Sequence, residues 1–168
     1  MPLGLLELLS SGQVALPMFR GENKITLDPK GRLAVPTRYR ESITSDAAGQ
    51  LVVTIDHRDR CLLIYMQHDW DDIQHKLTKL PALNPMARDL QRLMIGHATD
   101  IELDSHGRVL IPPNLREYAG LNRDVVLSGQ GTRFELWDEV LWVAQREAAL
   151  QAYRGNQALP PELNSISL

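Results

Sequence analysis

Two sixteen-residue stretches of this chain, ITLDPKGRLAVPTRYR from Ile25 and IELDSHGRVLIPPNLR from Ile101, lie 76 positions apart and agree at seven positions. The matched pairs are Ile25/Ile101, Leu27/Leu103, Asp28/Asp104, Gly31/Gly107, Arg32/Arg108, Pro36/Pro112 and Arg40/Arg116. Average residue usage would give on the order of one match. A short unit has been duplicated. Duplicating a core would preserve only the apolar positions. Here a carboxylate, a turn glycine, an arginine and a proline recur with them, so the geometry of a loop is repeated along with its burial.

A chain of 168 residues with 43% apolar composition can form one domain, or two small halves sharing a core. Its net charge of −3 excludes a protein that is basic all over, so any nucleic-acid contact has to rest on local clustering. Between Arg20 and Arg40 six cations (Arg20, Lys24, Lys30, Arg32, Arg38, Arg40) face only Glu22 and Asp28, a local net of +4. From Ile101 to Arg116, Arg108 and Arg116 are balanced by Glu102 and Asp104. The copies are alike in turn chemistry and unlike in charge.

Cys61 is the only cysteine, which excludes an intrachain disulfide and a multi-cysteine zinc site, and a cytoplasmic protein is expected. Residues 1–17 have no basic residue and their apolar run is broken by Glu7, so they are read as an N-terminal extension and not as a secretory leader. No stretch approaches the apolar length of a membrane helix, so no membrane partner is expected.

Each copy reads as strand, tight turn, strand and helix start. Asp28-Pro29-Lys30-Gly31 places Asp, Pro and Gly where a type I turn prefers them, and Asp104-Ser105-His106-Gly107 does so without the proline. Asp28, Gly31, Asp104 and Gly107 are therefore assigned to turn geometry. Pro36 and Pro112 are placed at the first helical position, and Gly120 at a helix C-terminus. Apolar runs at Leu51–Ile55 and Cys61–Tyr65, and again at Val125–Leu127 and Phe134–Trp137, predict two hairpins. Between the halves, Trp70, Ile73, Leu77 and Leu80 mark one helix; Asn84 caps a second, which Gly96 ends; Asp138 caps a last one. The predicted organisation is residues 18–65 as a first repeat, 66–97 as a helical linker, 98–137 as a second repeat, and 138–168 as a C-terminal helix and mobile tail.

The duplicated LDxxGR element, with an apolar residue, a proline and a helix start behind it, resembles the SpoVT/AbrB-type looped-hinge DNA-binding fold. MFRGENKITLDPKGRLAVPTRYRE from Met18, LMIGHATDIELDSHGRVLIPPNLREYAGL and FELWDEVLW are similar to segments of MraZ proteins, and the likeness runs from Met18 to Trp142. It implies an α+β fold: two tandem swapped-hairpin halves forming an intrachain pseudo-dimeric β-barrel with flanking helices. It also implies a transcriptional repressor of the division and cell-wall gene cluster that contains its own gene. The implied partners are double-stranded promoter DNA with short repeats and further copies of the chain in a homo-oligomeric ring. No cofactor is implied, and the location is cytoplasmic, on the nucleoid.

The resemblance carries DNA contact onto Lys30, Arg32 and Arg38, with Arg20 and Arg40 beside them. Chemistry agrees for the first three, since a hairpin tip is expected to project Lys30 and Arg32, and arginine's planar fork suits phosphate or a guanine edge. A purely structural role, Arg32 pairing with Asp28 across the turn, stands as the alternative, and Arg40, repeated at Arg116, is open to the same reading.

Two other functions compete. Duplicated Leu-Asp strand ends suggest an aspartic hydrolase, but two residues separate each Asp from its Gly, and a neighbouring arginine holds a carboxylate ionised where shared protonation is needed. The chain is therefore not expected to be an enzyme. The histidines at 57, 68, 75, 97 and 106 have no metal-ligand spacing, and Cys61 opens an apolar run as a buried residue would. A ring-forming interaction module without DNA contact is the remaining alternative.

Overall fold

The computed structural model describes residues 18–155, 160–163 and 165–166, so the extension read at 1–17 lies outside it. In the first copy the segments become β1 (Phe19–Thr26), β2 (Arg32–Ala34), α1 (Thr37–Ala47), β3 (Gln50–Ile55) and β4 (Leu62–Met66). The linker forms α2 (Gln67–Thr78) and α3 (Pro85–His97). The second copy follows as β5 (Thr99–Glu102), β6 (Arg108–Leu110), α4 (Pro113–Ala119), β7 (Asp124–Gly131) and β8 (Arg133–Asp138), with α5 (Glu139–Gly155) behind it. None of the described helices is long and apolar enough to cross a membrane.

The two expected hairpins, β3–β4 and β7–β8, form within their own copies. Every other ladder joins one copy to the other: β1 with β7, β5 with β3, β4 with β8, and β2 with β6. The result is a six-stranded antiparallel sheet, β1-β7-β8-β4-β3-β5, and a separate two-stranded ribbon, β2-β6. Exchanging each strand for its repeat reverses the sheet order and leaves the ribbon unchanged, so a pseudo-two-fold axis runs between β4 and β8. The turn after β1 thus joins strands that do not pair with each other, and it is a crossing from sheet to ribbon, not the tip of a hairpin. β1 and β5 are the sheet edges, and no ladder joins them. The described strands do not close into the barrel expected from the resemblance.

β3 and β4 are buried on both faces, which explains their unbroken apolar runs. One face (Leu51, Val53, Ile55, Leu62, Ile64) meets Leu33 and Val109 of the ribbon, Ile43 of α1 and Leu115 of α4. The other (Val52, Leu63, Tyr65) is covered by Trp70 and Leu77 of α2 and Met94 of α3. Phe19 stacks on Phe134 at 4.1 Å, tying β1 to β8 across the copies.

Local signals hold with three shifts, the first being that Leu80, expected in the first linker helix, lies past its end at Thr78. Asn84 Oδ1 accepts the amides of Met86 and Ala87, and Asp138 Oδ2 accepts that of Val140, so both cap their helices as read. Gly120 closes α4 at φ +61°. Pro36 and Pro112, however, are the N-cap residues of α1 and α4, one position before the first helical residue. Gly96 does not end α3: the helix runs on to His97, held from outside by the Thr54 hydroxyl, which donates to Met94 O at 2.6 Å.

Candidate nucleic-acid interface

The turns are built by their aspartates. Asp28 Oδ1 accepts the amides of Lys30 (2.9 Å) and Arg32 (2.8 Å), and Asp104 Oδ1 accepts those of His106 (2.8 Å) and Arg108 (2.9 Å). The backbone N–H of Arg32, ahead of its side chain, holds the Asp28 carboxyl below the usual carboxylate range, and that of Arg108 does the same for Asp104. Gly31 (φ +87°) and Gly107 (φ +73°) take the left-handed backbone that lets each loop close.

What lies against those glycines was not legible in either copy alone. A Cβ on Gly31 would stand 2.6 Å from the Arg116 guanidinium carbon, and one on Gly107 would stand 2.4 Å from that of Arg40. Each arginine also donates from Nε to a carbonyl of its own copy, Arg40 to Val35 O at 2.7 Å and Arg116 to Ile111 O at 3.0 Å. A reciprocal backbone pair, Val35 N to Gly107 O and Ile111 N to Gly31 O, both 2.9 Å, completes the cross-brace. In this geometry Arg40 and Arg116 recur because each buttresses the other copy's turn.

The ribbon brings the two copies of the central arginine together. Arg32 stands opposite Leu110 and Ala34 opposite Arg108, so all four share one face, while Leu33 and Val109 point into the core. Arg32 donates from Nε to Asp28 Oδ2 at 2.5 Å, which orients the side chain, and its η-nitrogens have no hydrogen-bond partner among the described residues. Arg108 Nε lies farther from Asp104 Oδ2, at 3.4 Å, without hydrogen-bond alignment. Lys30 is exposed at one end of this face, and His106 at the other.

Arg38 and Arg20 form a separate group by β1. Arg38 donates from Nη2 to Asn23 Oδ1 at 2.6 Å and lies over the Tyr39 ring at 4.7 Å. Asn23 in turn donates to Tyr39 Oη and Leu127 O, both at 3.0 Å, while the Tyr39 hydroxyl donates to Arg20 O. The Arg38 head also lies across Gly21, where a Cβ would come within 2.7 Å of Nη2. Asn23 and Tyr39 thus fix an exposed cation, a role the sequence hid because their partners come from β1, α1 and β7 and meet only in the fold.

This geometry disfavours the hydrolase. Asp28 and Asp104 sit beyond opposite ends of the ribbon, so they cannot share a proton, and each is spent on its own turn. Cys61 is fully buried, and no group of three or more His, Cys, Asp or Glu among the described residues could hold a metal ion.

A family model described as "MraZ protein, putative antitoxin-like" matches the chain twice, over residues 18–93 and 94–158. A protein of Coxiella burnetii named "Transcriptional regulator MraZ" is 56% identical over 153 residues, covering 90% of this chain and 100% of the relative. Its namesakes in Halorhodospira halophila and Pseudomonas aeruginosa are each 53% identical, over 152 and 151 residues, with the same coverage. These relatives are named as regulators, not as enzymes. With two tandem family matches on a fold whose ladders join two copies of one unit, and relatives matched along their full length, this chain belongs to the MraZ family of transcriptional regulators.

Proposed function

We propose that the chain regulates transcription by binding promoter duplex DNA in a sequence-specific way, repressing the division and cell-wall cluster that includes its own gene. The observation that carries this reading is the outer face of the β2–β6 ribbon. It presents Arg32 held by Asp28, with Arg108 beside it and Lys30 at its end, on a two-stranded element of the size that enters a major groove. Lys30, Arg32 and Arg38 are the contacts, Arg20 lies at the margin, and Arg40 acts through the turn it braces. In this reading residues 18–65 and 98–137 are the working halves, 66–97 the linker and 138–168 the C-terminal segment, with the ribbon and sheet together forming the walls of a swapped-hairpin barrel.

One protomer offers few cations, and a ring of copies engaging successive short repeats would raise effective concentration without new contacts. Exposed Val140, Leu150 and Tyr153 on α5, a helix with no buried residue, support self-association. A cytoplasmic, nucleoid-bound protein without a cofactor follows from this reading.

The test is a titration of the labelled promoter fragment upstream of the gene at two salt concentrations. Tight binding that weakens steeply with salt, and exceeds that to a scrambled duplex, is expected. Equal affinity for both duplexes would sink sequence-specific regulation, and unchanged operon transcription after gene deletion would sink repression.

A further inference from the structure

The outward face of the ribbon carries one residue that a merely solvated or phosphate-facing surface does not need. Arg32 and Arg108 are there, and Ala34 is small, but Leu110 is 53% exposed and stands directly opposite Arg32 in register. A single exposed leucine is ordinary. This one has Arg32 directly across the ladder and Arg108 two residues back on its own strand, at the position where the other copy has Ala34, and its sequence neighbours Val109 and Ile111 are buried. In the major groove thymine alone presents a methyl group, and an apolar side chain is what recognises it.

We propose that Leu110 is a specificity-determining residue that packs against a thymine 5-methyl beside the base pair met by Arg32. Ala34, smaller by three carbons, leaves the symmetry-related position unread. A ribbon that is pseudo-symmetric in its backbone then binds its site in one direction only. This inference rests on the DNA-binding reading above.

The experiment selects duplexes from a random-sequence pool with the full-length protein, then replaces each thymine of the enriched duplex, one at a time, by deoxyuridine, which removes only the methyl. For the unmodified protein, one thymine per bound ribbon should show binding weakened roughly fourfold, the loss of about one buried methyl contact. Leu110→Ala should bind the thymine duplex with the same loss and be indifferent to uracil at that position, while Ala34→Leu should gain a second uracil-sensitive position. Absence of any uracil-sensitive position in the unmodified protein, a scan that requires no variant, would overturn the proposal. So would a Leu110→Ala protein that keeps the sensitivity, or one whose assembly size changes by light scattering, since Leu110 would then face another copy. A pool that enriches no sequence at all would instead overturn the DNA-binding reading itself.

Discussion

At the turn from Asp28 to Gly31 and the turn from Asp104 to Gly107, the same four events occur. A carboxylate accepts two amides, a glycine turns left-handed, the other copy's arginine lies on that glycine, and the glycine carbonyl accepts the N–H of the residue that follows the other copy's ribbon strand. Their outer surfaces diverge: Lys30 against His106, Arg38 against Asn114, Ala34 against Leu110, and an aligned Arg32–Asp28 pair against a longer Arg108–Asp104 contact. The pair teaches that backbone geometry and outward chemistry rest largely on different residues in a duplicated fold. Residues serving geometry are paired because each copy supplies the other's brace, and of those facing outward only Arg32 and Arg108 match.

Perturbing the shared part should cost most, and equally. Gly31→Ala and Gly107→Ala each place a Cβ in a left-handed residue against a guanidinium, and each should lower stability by about 1–3 kcal/mol in urea unfolding. A clear difference between the two would show that the braces are not equivalent. Perturbing the divergent part should separate the copies: Arg32→Ala should lose roughly 1–3 kcal/mol of promoter affinity with relaxed specificity, and Arg108→Ala distinctly less. Equal losses from two variants that assemble normally by scattering would break the asymmetry. A finer contrast is Lys30→Ala, expected to reduce the salt slope of binding by about one, against His106→Ala, expected to leave it unchanged.

Smallest is the effect of acid. Both turn carboxyls are depressed in the folded state, so whatever they contribute is complete above their unfolded value of about 4 and fades only as pH falls through the lower folded values. Asp28→Asn should therefore leave the shape of the affinity profile unaltered between about pH 5 and pH 8. An acid limb in that window that vanishes in Asp28→Asn would contradict the assignment.

Much of this was legible in the sequence because it is local. Turn chemistry at Asp28 and Asp104, capping by Asn84 and Asp138, and the stop at Gly120 each depend on a few neighbouring residues. Pairing was not, since a period of two reveals which face of β1 is apolar but not that Asn23 lies opposite Leu127. The network of Asn23, Tyr39 and Arg38 depends on that pairing and on the packing of α1, while the cross-braces and the company of Leu110 go with the β2–β6 pairing, so all were hidden from the sequence. Gly96 lies inside α3 for a related reason. Glycine costs a helix about 1 kcal/mol, and α3 tolerates it because Met94 is buried and its carbonyl is held by Thr54.

The pairing of β1 with β7 also sets an order of events during synthesis. Phe19 is opposite Gly131, so the first strand leaves the ribosome more than a hundred residues ahead of its partner. At translation rates of roughly 5 to 20 residues per second, β1 must wait on the order of 5 to 20 s without its ladder. Its exposed Arg20, Glu22 and Lys24 are the kind of charged edge that discourages pairing with a stranger in that interval. Each new chain is thus briefly an open strand, kept out of misplaced sheets by charge until its own second half arrives.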